Sequence, residues 1–451
     1  MPNYDKLYRT GSVWSSIFKL AIPSLIIVIL MIFYNMADMI FIGQLGDSAM
    51  VAAISIVSPL FSLLMAVATM IGFGACTLIT NSFGANDPKQ AKVISSISFW
   101  AALIFGIVII PILFAAHGPL LNLLGATEET YKYAEQYFVI LLFGAPFMIL
   151  STMLGSIIRA DGSIKESMIG NVMGTITNLI LDPILILVLH FGVVGAAIAT
   201  VLGNAVATLL YLLFVKRMTT ISVRPSYALQ KPVLIFTVLA LGLPNAISTI
   251  LSGFASSFSN NLLKIYGTDA IASMAAAGKV SMIISMVILG ITMGTQPLLA
   301  YAYGAKDQKR MNTILKDLII LTSTLGVLGA VLSFTVRTNI IHMFLGTSSA
   351  AALAESLVIF LIIGAPFSGV INVTTNLMQA SQNAVGAIIL SVLRQGLLLI
   401  SFLYLMEHFW KLQGIAAAHT AADLTAFVIA VFFFIYQKRR NHAEILLPQT
   451  A

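Results

Sequence analysis

Charge is what this chain has least of. Asp, Glu, Lys and Arg make up 9% of its 451 residues, against 59% apolar residues and a mean hydropathy of +0.98, where a soluble domain carries roughly 25% charged residues. That scarcity excludes a soluble enzyme or binding module. Cysteine is scarcer still, and the single Cys76 rules out a disulfide within the chain and any multi-cysteine metal site. Missing as well are a His-Glu-x-x-His run, a Gly-x-Ser-x-Gly elbow and a phosphate-cradling glycine loop. No basic run alternates with exposed aromatics, so the net charge of +7 points to anionic lipid headgroups and topology, and no nucleic-acid partner is expected.

What the chain has in abundance is apolar stretches long enough to cross ~30 Å of hydrocarbon, which takes about 20 helical residues. They fall near 14–43, 50–80, 93–115, 135–158, 167–189, 192–215, 235–262, 278–302, 315–335, 355–379, 386–406 and 414–436. An all-α membrane protein with twelve transmembrane helices is expected. Assigning the connections alternately to two sides places 18 of the 24 Lys and Arg on one of them, which by the positive-inside rule is the cytoplasm. Both termini are then cytoplasmic and the plasma (inner) membrane of a bacterial cell is the expected location. The first stretch carries Pro23, Asn35 and Asp38 with no small-residue cleavage site, so it reads as a retained span.

The chain also repeats itself at an offset of about 220 residues. Gly144-Ala145-Pro146-Phe147 recurs as Gly364-Ala365-Pro366-Phe367, Gly84-Ala85 with Asp87 recurs as Gly304-Ala305 with Asp307, and Pro23 matches Pro244. Two six-helix lobes related by a pseudo-two-fold axis follow: an N-terminal lobe 1–218, a cytoplasmic linker 219–234 and a C-terminal lobe 235–451. The copies differ in their acids. Asp38 aligns with Ser259 and Asp182 falls near Phe402, and a doubled scaffold with a one-sided ion site is a common transporter design.

Helical spacing gathers the intramembrane polar residues into stripes. Met31, Asn35 and Asp38 share one face of span one; Asn171, Gly174, Asn178 and Asp182 share one of span five; Thr200, Asn204 and Thr208 one of span six. A carboxylate at the centre of a membrane helix costs about 2.5–3.5 kcal/mol, so Asp38 and Asp182 require a compensating role. Asp38, Asn178, Asp182 and Thr200 offer oxygen ligands that suit a hard cation, and two buried acids in one pocket bind protons more readily than free ones. The coupling ion is therefore H⁺ or Na⁺, with no other metal and no cofactor. Met31, Tyr34, Asn35, Asn204 and Ser256 are candidates for the substrate cavity. Pro23 and Pro183 are candidate hinges, because each lacks an amide hydrogen and crowds the carbonyl four residues back. Arg394, His419 and Asp423 form a second candidate polar network, which a static ion pair explains without transport chemistry.

The words Arg159-Ala160-Asp161-Gly162, Asn178 with Asp182-Pro183, Gly84-Ala85-Asn86-Asp87, and Gln296-Pro297 before Gly304-Ala305 resemble the multidrug and toxic compound extrusion (MATE) family over essentially the whole chain. That likeness implies two six-helix lobes around a central cleft and export of organic, often cationic, amphipathic compounds in exchange for Na⁺ or H⁺ by alternating access. It also implies a coupling site at Asp38, Asn178, Asp182 and Thr200, and a first helix that bends near Pro23. Spans seven and ten show Ser256, Ser259, Asn260, Asn372 and Thr375 where some branches carry acids, so the chain is more similar to the DinF branch. Expected partners are small organic substrates and membrane lipids around a monomer. Two rivals remain: a flippase for lipid-linked oligosaccharides, from the same superfamily, and an intramembrane enzyme. The first would want several basic residues where the spans offer chiefly Arg394; the second leaves the repeat unexplained.

Overall fold

Long apolar helices account for nearly all of the protein, as a bilayer requires when backbone groups have no water to bond. The computed structural model describes residues 4–9, 11–43, 48–346 and 348–446, and the side chains of these except 6, 32–40, 42, 43, 48 and 442–446. After a short π-helical segment, Asp5–Arg9, come α1 (Val13–Gly43), α2 (Ser48–Gly84), α3 (Pro88–Leu123), α4 (Glu128–Ala160), α5 (Ile164–Pro183) and α6 (Val193–Arg217). Then follow α7 (Leu234–Leu263), α8 (Thr268–Gly304), α9 (Gln308–Leu345) and α10 (Ser349–Ala380). A last stretch, Ala384–Asn441, is interrupted by the non-helical residue Lys411 (φ 52, ψ −133). That residue divides it into α11, 384–410, and α12, 412–446. Eleven apolar stretches thus hold twelve membrane-crossing helices among the described residues, as the hydropathy pattern predicts.

Two compact units divide the chain. The first takes Met1–Thr10 and Ile26–Ala246, the second Gly11–Leu25 and Ile247–Ala451. Membership changes two residues after Pro23 in α1 and two residues after Pro244 in α7. Residues 219–234, which join α6 to α7, fall in the first unit and are bonded to it. Ser95 Oγ and Trp100 Nε1 of α3 donate to the carbonyls of Ser222 and Val223 at 3.0 and 3.1 Å.

Each unit is built around its fourth helix. About two-thirds of the apolar windows of α4 and α10 are buried, 67% and 61%, against 17–39% elsewhere, so these two are the hubs on which the others pack. In the first unit Phe138, Leu141, Leu142 and Met148 of α4 meet Val57 of α2 and Ala197 of α6. In the second, Leu357, Val358 and Ile362 of α10 meet Val280 and Ile284 of α8.

The repeated Gly-Ala-Pro-Phe word is the packing device of those hubs. A Cβ on Gly106 of α3 would lie 2.8 Å from the Cα of Pro146, and one on its counterpart Gly326 of α9 would lie 2.7 Å from the Cα of Pro366. The repeated Gly-Ala turn is likewise scaffold. Asn86 and Lys306 take left-handed backbone (φ 59 and 53), and the following Asp87 and Asp307 cap α3 and α9 by accepting from Gln90 N and Arg310 N at 3.0 and 2.9 Å.

Candidate cation site

Small residues bring α5 and α6 close enough for their polar stripes to meet. A Cβ on Gly174 would sit 2.8 Å from the carbonyl oxygen of Gly203, and one on Gly203 would sit 2.7 Å from that of Gly174. Such close backbone approach is how helices associate where water supplies no hydrophobic drive. Gly174 lies one turn before Asn178 on α5, and Gly203 lies one turn after Thr200 on α6. The contact therefore seats the two polar stripes against each other.

Asn178, Asp182 and Thr200 are all buried, at 3%, 0% and 4% exposure. Asn178 Nδ2 lies 3.5 Å from Asp182 Oδ1 and 3.5 Å from Thr200 Oγ1, donating a long hydrogen bond to each. Asn178 Oδ1 is buried with no hydrogen-bond partner among the described residues. A carboxylate, a hydroxyl and an amide oxygen left over for another ligand form a donor set suited to a hard monovalent cation or a proton. Asn204 extends the cluster toward the hub, accepting from Ser151 Oγ of α4 at 2.7 Å and donating to the Thr200 carbonyl at 2.9 Å.

Pro183 directly follows the acid. Beyond it the chain winds as a π-helical turn, Ile184–Val188, closed by Leu189 N donating to Ile184 O at 2.9 Å. This wider turn at a helix position next to a buried acid is a frequent companion of functional sites.

The remaining candidates are distributed as follows. The side chains of Asp38, Tyr34 and Asn35 lie outside the described residues, while their backbone continues α1. Met31 is exposed, at 55%. Ser256 belongs to the second unit and is exposed on α7, and Pro23 lies inside α1, where Ser24 Oγ bonds back to the Leu20 carbonyl at 3.0 Å. In the second unit Arg394 Nε meets Asp423 Oδ1 at 2.9 Å, and Arg394 Nη1 donates to Asn372 Oδ1 at 3.1 Å. His419 stands one turn before Asp423 on α12.

Two features of the first unit escaped sequence reasoning. One is the glycine contact itself, although Gly170-Asn-Val-Met-Gly174 on α5 and the small residues Gly195, Ala199, Gly203 and Ala207 on α6 were its signal. The other is a buried charged cluster at the end of α4. Tyr8 donates to the Arg159 carbonyl at 2.7 Å, and Asp161, at 4% exposure, accepts from Ser163 Oγ at 2.7 Å and from Thr220 Oγ1. Burial pushes the Asp161 carboxyl above the usual carboxylate range, and the two hydroxyl donors oppose that shift.

A repeated, all-helical membrane scaffold with a buried acid on facing polar stripes defines a secondary transporter. The MatE family model matches the sequence twice, over residues 23–184 and 244–405. The chain therefore belongs to the MatE family, the multidrug and toxic compound extrusion transporters. It is 30% identical over 433 residues to the multidrug export protein MepA of Staphylococcus saprophyticus subsp. saprophyticus, covering 96% of this chain and 95% of that one. It is 29% identical over 433 residues to MepA of Staphylococcus aureus (strain N315), with the same coverage of both. Among solved structures, one of MATE in complex with MaL6 superposes with a TM-score of 0.91 at 26% identity, covering 98% of this chain and 99% of the other. The outward-facing conformation of a multidrug resistance MATE family transporter of the MOP superfamily gives 0.90 at 26% identity, over 97% and 98%.

Proposed function

We propose that this chain is an antiporter that exports organic, cationic and amphipathic compounds across the bacterial plasma membrane in exchange for H⁺ or Na⁺. The observation that carries the reading is the buried cluster of Asn178, Asp182 and Thr200 on helices that two glycines hold in contact. Its relatives include export proteins named for multidrug substrates. Asp38 completes the coupling site, and Met31, Tyr34, Asn35, Asn204 and Ser256 contribute to the substrate path.

The lobes 1–218 and 235–451, joined by a cytoplasmic linker 219–234, alternate between inward and outward access, with both termini in the cytoplasm. An incoming cation or proton neutralises the acids of the first lobe. That loading drives outward movement of substrate only if ion and substrate prefer different conformations. Pro23 and Pro183 are the places where α1 and α5 bend during the change.

The decisive experiment reconstitutes the full chain into proteoliposomes and follows efflux of a fluorescent organic cation under an imposed pH or Na⁺ gradient. Efflux should follow one of the two gradients and vanish in Asp38→Asn, with that variant present in the membrane at the wild-type level. Efflux indifferent to both gradients rejects antiport, and undiminished efflux by Asp38→Asn removes that residue from the mechanism.

A further inference from the structure

A groove in the second unit combines positive charge and apolar surface in an order that matches a phospholipid. It is an open groove of about 620 Å³ between the start of α9 and the end of α12, a volume within the range of about 300–1,000 Å³ of small-molecule sites. Lys309, Lys316 and Ile320 line it from α9, and Phe434 and Lys438 line it from α12. On α9 these positions, with Asn312 and Thr313, recur at three- and four-residue steps, so they share one helix face.

The two helices enter and leave this region in opposite senses, and the sequence order fixes the polarity of the groove. Lys309 and Lys316 precede Ile319 and Ile320 on α9, whereas Phe434 precedes Lys438 on α12. Charge therefore gathers at the terminal end and apolar side chains lie about one turn deeper. All three lysines are exposed, and none has an ion pair among the described residues. One acid, Asp317, also lines the groove and is 8% exposed, so the lining retains a net charge of +2. Asn312 and Thr313 add a neutral amide and a hydroxyl that can bond phosphate or glycerol oxygens.

We propose that this groove is a binding site for an anionic glycerophospholipid. Its phosphate sits among Lys309, Lys316 and Lys438, and its first acyl carbons lie along Ile320 and Phe434. Lysines at the end of an apolar helix attract acidic headgroups, at about 1 kcal/mol or fivefold in affinity for each. The apolar floor selects against a free phosphate, which gains nothing from it. The positive-inside sorting assigns this end of the molecule to the cytoplasmic leaflet, so the lipid belongs to that leaflet.

The test uses the full chain in detergent, with native mass spectrometry and thermal unfolding during titration with dioleoylphosphatidylglycerol, dioleoylphosphatidylcholine or soluble glycerol 3-phosphate. Phosphatidylglycerol should bind and raise the unfolding temperature where phosphatidylcholine at equal concentration does not. The triple exchange Lys309→Gln, Lys316→Gln, Lys438→Gln should weaken that binding about a hundredfold. A matched control, Lys132→Gln, Lys264→Gln, Lys411→Gln, makes the same change of net charge elsewhere and should leave it intact. Equal binding of the two lipids, equal binding by the triple variant and the wild type, or equal loss in the control overturns the proposal. Glycerol 3-phosphate binding as tightly as the lipid overturns it too, in favour of a soluble-anion site. Should the triple variant be unstable in phosphatidylcholine, Lys438→Gln alone poses the same question at about fivefold.

Discussion

Helices α5 and α6 of the first unit and α11 and α12 of the second solve the same packing problem with opposite chemistry. Their registers can be matched through their turns. Gly192 (φ 55, ψ −130) and Lys411 (φ 52, ψ −133) adopt the same left-handed backbone 219 residues apart. Gly195 packs on the backbone of Leu185 as Gly414 packs on that of Met406. At that offset Thr200 corresponds to His419, Gly203 to Ala422 and Asn204 to Asp423. Before the fifth and eleventh helices, Gly162 and Gln382 (φ 83 and 57) correspond at 220, which pairs Gly174 with Arg394. Where the first unit has glycine it brings backbones together; where the second has arginine it reaches an acid at 2.9 Å. The second unit thus pairs its intramembrane acid Asp423 with Arg394. In the first, the neutral Asn178 donates to both Asp182 and Thr200, a set of oxygens suited to a hard cation or a proton.

The largest expected effect breaks this contrast directly. Asp182→Asn should abolish gradient-driven efflux while the protein stays folded, because it removes the charge that an ion would neutralise. The double exchange Arg394→Met with Asp423→Leu should keep most efflux, since a charge pair replaced by apolar groups of similar size is often tolerated. Arg394→Met alone should cost up to about 3 kcal/mol in detergent unfolding, by leaving Asp423 charged within the span. Loss of efflux in the stable double variant would make the second unit part of the coupling machinery and end the distinction.

Much of this contrast was legible in the sequence. Hydropathy gave the twelve spans, the repeated words gave the duplication, and four-residue steps gave Asn178, Asp182 and Thr200 on facing stripes. The repeated words themselves proved to be packing and capping elements, Gly106 on Pro146 and Asp87 on Gln90 N among them. That accounts for their recurrence in both halves while the intramembrane acids Asp38 and Asp182 do not recur. The π turn after Pro183 left no sequence mark, because a one-residue change in hydrogen-bond register needs no special composition. The kink at Lys411 falls on a residue with no intrinsic preference for positive φ. The bond from Thr220 to Asp161 joins residues 59 apart and no periodicity could propose it.

A middle-sized effect sharpens the helix contact. Gly203→Ala places a methyl 2.7 Å from the Gly174 carbonyl oxygen and 3.1 Å from Asn178 Cβ, so α5 and α6 must separate or Asn178 must turn. Overpacking of this kind costs about 1–3 kcal/mol, and efflux should fall further than stability does because Asn178 is displaced with the backbone. The corresponding Ala422→Gly in the second unit should cost about 1 kcal/mol of helix propensity and leave efflux intact. Equal consequences in the two units, read by thermal unfolding and efflux side by side, would show that the glycine contact has no special part in seating the polar cluster.

The smallest effect concerns the charged cluster at the end of α4, which the first unit also keeps to itself: its counterpart in the second, Ser381, is neutral and accepts from Asn441 Nδ2 at 2.7 Å. Burial raises the Asp161 carboxyl above its unfolded value, so the folded state holds this proton more tightly than the unfolded state does. The resulting stability is fully present below the ordinary aspartate value of about 4. It is lost as pH climbs through the raised one. Above that range the buried carboxylate survives on the hydroxyls of Ser163 and Thr220, and Thr220 lies in the segment between α6 and α7. Asp161→Asn should flatten the pH dependence of unfolding over this window, while a Thr220→Val exchange should steepen it by removing an opposing donor. Unfolding curves of the three proteins from pH 4 to 7 decide the point: parallel profiles would mean that Asp161 is neutral, or equally solvated, in both states.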